Sequence, residues 1–162
     1  MNRKVLIGLG VFAGVAQAFA GVVMYLAGVY FAPWSFLVTL VLHLVCIVVG
    51  TRWYAANYLN GEITYLQALT VGIVISVSTG LVYAIYNMVS ISWFYPNFLD
   101  EVVRARMAQA PIDQHGSASF ASMRAEATAA GIAISNLIRL SVFGSVFSLL
   151  TSLFLKRQAN AR

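Results

Sequence analysis

The sequence predicts an all-α integral membrane protein with four transmembrane helices and both termini cytoplasmic. A short amphipathic helix and a helical extension on the outer side join helices three and four. Three observations predict this. Four long apolar stretches, about Val5–Phe31, Ser35–Gly50, Leu66–Ser92 and Leu140–Leu155, fill most of the chain. Almost every charge lies between or outside them. The composition, 60% hydrophobic and 9% charged with mean hydropathy +0.83, is far from the soluble norm of about 45–50% apolar and about 25% charged. A water-soluble chain of 162 residues keeps too much surface to hide that excess. The excess therefore faces hydrocarbon, where helices satisfy their own backbone groups. The length suits a single domain, 1–162.

The first helix is predicted over about 4–31, longer than the ~20 residues a bilayer needs. Its basic start and the Ala16-Gln17-Ala18 run imitate a signal peptide. The apolar stretch continues past that point to Phe31, so a retained first span is expected. Pro33 opens the second helix, about 34–58, because proline lacks only an N–H that is unpaired there anyway. Asn60-Gly61 is a turn dipeptide. The third helix is predicted over about 63–94 and is interrupted by Pro96.

The polar segment 97–128 follows. Asn97 is placed to cap a short helix with Asp100 and Glu101 in its first turn, where the helix dipole favours anions. Phe98, Leu99, Val102, Val103 and Met107 fall at helical spacing. Pro111 ends this helix, and 112–117, with His115 and Gly116, is a loop. From about Ser119 the chain is expected to run unbroken into the fourth span, about 129–157.

Charge sets the expected topology. One side carries Arg3, Lys4, Arg52, Lys156, Arg157 and Arg162 against Glu62. The other carries Arg104, Arg106 and Arg124 against Asp100, Glu101, Asp113 and Glu126. The positive-inside rule places both termini in the cytoplasm. Tyr30, Trp34, Trp93 and Tyr95 fall at outer span ends, and Trp53, Tyr54, Tyr58 and Tyr65 at inner ends, as interfacial aromatics do. The net charge of +5 is scattered over chain ends and loops, which argues against nucleic-acid binding. The single cysteine, Cys46, excludes an intrachain disulfide and a cysteine-rich metal site.

Gly10, Gly14, Gln17, Gly21 and Gly28 form a seam on the first helix. Such seams let helices approach closely, either inside one bundle or against another copy or a partner subunit. Four intramembrane polar residues are candidates for function: Gln17, His43, Asn87 and Arg139. An amide at depth ordinarily bonds a neighbouring helix. His43 shares a face with Thr39, Cys46 and Gly50; a buried histidine serves packing, proton relay or, at the lowest weight, axial ligation of a haem or pigment. Gly72, Ser76, Thr79, Tyr83 and Asn87 make an inward stripe on the third helix, suited to interhelical hydrogen bonds or to a narrow polar path with Gln17 and His43. Arg139 lies about 16 residues, roughly 24 Å of helix, before Lys156. That depth suits a snorkelling anchor, with Glu126 or Asp100 within reach as a partner.

No soluble-type catalytic motif is present, so no enzyme activity, cofactor or metal site is expected. Asn60-Gly-Glu-Ile-Thr-Tyr-Leu-Gln-Ala-Leu-Thr-Val-Gly72 resembles the central motif of an uncharacterised bacterial membrane family, the domain of unknown function numbered forty-one ninety-nine. Tyr95-Pro-Asn-Phe-Leu-Asp100 resembles its second recurring segment. The resemblance implies four helices in a bacterial cytoplasmic membrane, and no reaction or site residues. The expected role is that of an accessory or assembly subunit binding other membrane proteins or itself. A proton-linked carrier or channel using His43, or a pigment- or haem-binding subunit, are the alternatives.

Overall fold

The computed structural model describes residues 2–109 and 120–159. Among them it is all helix: α1 (Arg3–Leu26), α2 (Ser35–Tyr58), α3 (Tyr65–Val89) continued by a π-turn (Ser90–Phe94), α4 (Phe98–Gln109), α5 (Phe120–Glu126) and α6 (Ala129–Ala159). Four helices are long and apolar enough to cross a membrane: Arg3–Leu26, Ser35–Tyr58, Tyr65–Phe94 and Ala129–Leu155. This is the layout of a multi-pass membrane protein. The expected loop 112–117, with His115, lies outside the described residues.

Helix ends follow local chemistry. α1 stops at Leu26, short of the expected residue 31. Gly28 takes φ +70°, its N–H donates to the Tyr25 carbonyl and the Val29 N–H to the Met24 carbonyl, each at 2.9 Å. These two bonds close a Schellman motif, and glycine enters its left-handed position without Cβ strain. Gly28 therefore lies in the connection, outside the α1 seam. α2 ends at the predicted turn, where Asn60 (φ 54°) and Gly61 (φ 83°) are both left-handed. α3 starts with a capping box: the Gln67 N–H donates to Thr64 Oγ1 and the Thr64 N–H to Gln67 Oε1, satisfying two orphan donors. At its far end the Tyr95 N–H donates to the Ser90 carbonyl at 2.9 Å, the wide π spacing just before Pro96.

Asp100 and Glu101 do lie in the first turn of α4. The unbroken run into the fourth span is not found. The helix breaks at Ala127–Thr128, and Thr128 Oγ1 accepts the Gly131 N–H at 3.0 Å. Threonine competes well for the first turn's donors, so it starts a new helix instead of continuing the old one.

α3 is the centre of the bundle. It buries 44% of its most apolar window, against 22% for α2. It packs lengthwise on α6 and α1, and α2 touches all three. α1 and α3 run parallel, while α2 and α6 run antiparallel to them. One end of the bundle, here the basic end, holds the start of α1, the finish of α2 and the start of α3. Leu6, Ile47, Tyr54, Val71 and Ile75 form the core of that half. The other, aromatic end is closed by Tyr25, Tyr30, Phe31, Tyr95 and Phe98, with Tyr25 and Tyr95 ring centres 4.1 Å apart. Phe98 is buried there and pins α4 across that end. α5 meets α4 through an ion pair of Arg124 Nε with Asp100 Oδ1, half-exposed and of small energetic weight.

Candidate functional site

The polar residues of the spans converge at one level, where all four helices meet around His43. The imidazole is fully buried. Gln17 Nε2 on α1 donates to His43 Nδ1 on α2 at 2.8 Å. With Nδ1 accepting, the ring is the Nε2–H tautomer. Nε2 faces α3 and α6. A Cβ on Gly144 of α6 would stand 2.7 Å from it and against the side chain of Ser76 on α3. The Leu140 carbonyl of α6 is the backbone acceptor facing the ring, short of full hydrogen-bond geometry.

The pair is therefore half satisfied. Gln17 Oε1 and His43 Nε2 are both buried without a hydrogen-bond partner. Turning the amide over exchanges donor for acceptor and still leaves one of each unpaired. Such orphans are costly in a dry interior, so this spot is where bundle stability and any polar chemistry at depth would meet. Thr51 Oγ1, two turns nearer the basic end of α2, is a third buried orphan.

The rest of the inward stripe is used in packing. Gly72, Ser76, Thr79, Tyr83 and Asn87 are all buried along α3. The Ser76 hydroxyl donates to the Gly72 carbonyl at 2.8 Å, and Thr79 Oγ1 donates across to the Gly10 carbonyl of α1 at 3.1 Å. Asn87 Nδ2 donates to the Tyr83 carbonyl at 2.7 Å. Asn87 is 11 residues beyond Ser76, about 16 Å of helix, so it does not join His43. It borders a separate cavity of about 10 Å³ with Tyr25, Tyr30, Tyr86, Ser90 and Tyr95, room for about one water.

Gly10 and Gly14 seat α1 against α3. A Cβ on Gly10 would lie 2.8 Å from the Ile75 carbonyl, and one on Gly14 2.6 Å from Val82 Cβ. Gly21 has looser neighbours, the rings of Tyr83 and Tyr86 at 3.6 Å. The seam is thus occupied within this chain. Arg139 pairs with neither Asp100 nor Glu126: its Nη2 donates to Asn136 Oδ1 at 2.7 Å and its guanidinium lies 4.8 Å from the Phe36 ring centre. A local amide and an aromatic face meet the cation at the aromatic end of the bundle, while Asp100 is held by Arg124.

Sequence reasoning missed the α6 side of this site. Gly144 and Ser148 are spaced four apart, a small-xxx-small signal in the same class as Gly10 and Gly14. Ser148 is buried, donates to the Gly144 carbonyl at 2.6 Å and packs on Gly72. An axial ligand on His43 Nε2 would need the space that the α6 backbone fills at Gly144, so the site does not fit a haem or pigment. Among the described residues no three His, Cys, Asp or Glu side chains group to hold a metal ion.

Apolar grooves open on the bundle surface among the described residues. One, of about 370 Å³, lies between α1 and α2 and is lined by Leu9, Phe12, Ala16, Cys46, Val49 and Trp53 among others. Another, of about 520 Å³, lies between α1 and α3 towards the aromatic end and includes Val15, Ala18, Ile85, Val89 and Phe94.

A model of the family described as "Protein of unknown function (DUF4199)" matches residues 9–157. No curated protein and no solved structure matches the chain.

Proposed function

The chain belongs to that family of unknown function, and on this premise we propose that it is a non-enzymatic accessory or assembly subunit of the bacterial inner membrane that holds other membrane proteins, its own copy included. The groove between α1 and α3 carries this reading. It is apolar, open at the bundle surface, and flanked by exposed Phe19, Ile85 and Phe94. Ala18 leaves the backbone of α1 approachable, as helix docking requires. Gln17, His43 and Asn87 are buried inside the bundle, so the polar groups of the core do not line this groove. A photo-reactive side chain at Ile85 should give protein adducts of discrete mass in native membranes, and one at Leu149, exposed on α6, should give lipid adducts. Lipid adducts at both positions, with a lone monomer in gentle detergent, would overturn the proposal.

In the same proposal both termini face the cytoplasm. The support is the bias of Arg3, Lys4 and Arg52 over Glu62 at the basic end, against the mixed charges of α4 and α5 at the other. A C-terminal tag in intact spheroplasts should resist an impermeant reagent and become labelled after lysis. Labelling without lysis rejects this topology.

A second reading, a proton-linked carrier, is favoured by one observation: His43 and Gln17 hold unpartnered polar atoms at the level where all four helices meet. Intramembrane histidines of this kind mark proton paths in pumps and transporters. Its measure is proton flux in liposomes, and flux unchanged by His43→Leu removes it.

A further inference from the structure

We propose that the groove between α1 and α2 is a lipid site, holding one acyl chain of an anionic phospholipid whose phosphate rests at the basic end on Arg3, Lys4 and Arg52. The groove of about 370 Å³ is almost wholly apolar and runs from Leu42 and Ala16 at mid-depth to Trp53 at its mouth. Leu42 to Trp53 is 11 residues, about 16 Å of helix, close to half of a ~30 Å hydrocarbon core. It therefore spans a single leaflet. A partner's transmembrane helix would cross both leaflets and leave about half of its length outside the groove, whereas one acyl chain matches it end to end.

The mouth supplies the charge. The Asn2 N–H donates to the Tyr54 hydroxyl at 2.8 Å, which holds the first turn of α1, with Arg3 and Lys4, against the finish of α2. Arg52 precedes Trp53 and lines a neighbouring cleft of about 290 Å³ with Ala56. All three cations are exposed, and among the described residues none has a salt-bridge partner. Among the described residues Glu62 is the one carboxylate side chain at this end. Basic side chains beside a membrane-facing groove attract anionic headgroups, and Trp53 marks the interfacial level.

The site carries its own reporter, since Cys46 is the single cysteine and lines the groove, half-buried. Purified full-length protein is titrated with phosphatidylglycerol or phosphatidylcholine of identical chains, and retained lipid is read by native mass spectrometry. One phosphatidylglycerol should be retained about tenfold better, and it should slow the reaction of Cys46 with a lipophilic maleimide. The combined substitutions Arg3→Gln, Lys4→Gln and Arg52→Gln should abolish the preference. Ala16→Phe should fill the groove and release both lipids, with helical content and elution unchanged. Equal retention of the two lipids by the parent, or a Cys46 rate indifferent to phosphatidylglycerol, overturns the proposal. If Ala16→Phe fails to fold, the Cys46 rate in the parent still decides.

Discussion

Gly144→Ala is expected to destabilise the protein by about 1–3 kcal/mol, the usual range for overpacking a filled interior. The direction is informative because glycine to alanine within a helix ordinarily gains up to about 1 kcal/mol. At Gly144 the added carbon would stand 2.7 Å from His43 Nε2 and against the Ser76 side chain. Ser76 cannot swing aside cheaply, because the crowded atoms sit next to the α3 backbone and its hydroxyl is tied to the Gly72 carbonyl. Relief requires α6 to move away from α3, its most extensive partner. Gly8 is the control: a Cβ there meets nothing within 4 Å, so Gly8→Ala should be neutral or slightly stabilising. Unfolding midpoints in one detergent compare the two. A Gly144→Ala protein as stable as the parent would show that α3 and α6 are not in this contact.

Four spans and their order were legible because hydrophobic length is written continuously in the chain. Their ends were legible only where a local device announces itself. Asn60-Gly61 did so. Gly28 did not, because a glycine at seam spacing in an apolar run looks the same whether it packs a helix or caps one, and only its φ of +70° separates the two. Thr128 was hidden by the helix-favouring alanines around it. The inward stripe from Gly72 to Asn87 was readable from period alone. One polar path with Gln17 and His43 is the alternative to interhelical hydrogen bonding along that stripe, and the structure splits it: helix rise puts Asn87 about 16 Å from Ser76, in a separate pocket of tyrosines. Gly144 stands four residues before Ser148, and small residues at that spacing do not say which helix they meet. Arg139 turned to Asn136 and Phe36, three residues away and one helix away, and neither partner is visible as a charge in the sequence.

The Gln17–His43 pair should behave as a unit. Gln17→Leu leaves His43 Nδ1 without its 2.8 Å donor and in the same step removes Gln17 Oε1, one of the two orphans already buried there. Creating one costs about 1–3 kcal/mol in a protein interior, although interhelical polar contacts in membranes average nearer 0.6 kcal/mol and reach about 1.7. The membrane figure governs here, since the unfolded reference is itself in lipid. Each single change, Gln17→Leu or His43→Leu, trades one orphan for another while losing the bond, so beyond its altered shape it should cost about the 0.6 kcal/mol of the bond itself. The double variant removes every orphan of the pair and replaces both side chains by apolar ones. It should be more stable than the sum of the two singles predicts, by about 1 kcal/mol. A double-mutant cycle from unfolding in one detergent measures this, and strict additivity would mean that the two side chains do not share a bond. The same three variants in liposomes separate the functional readings. A packing role lets the double variant keep its fold and its cross-links at Ile85. A carrier role predicts proton flux in the parent that falls with His43→Leu and stays lost in the double variant, however well that protein folds.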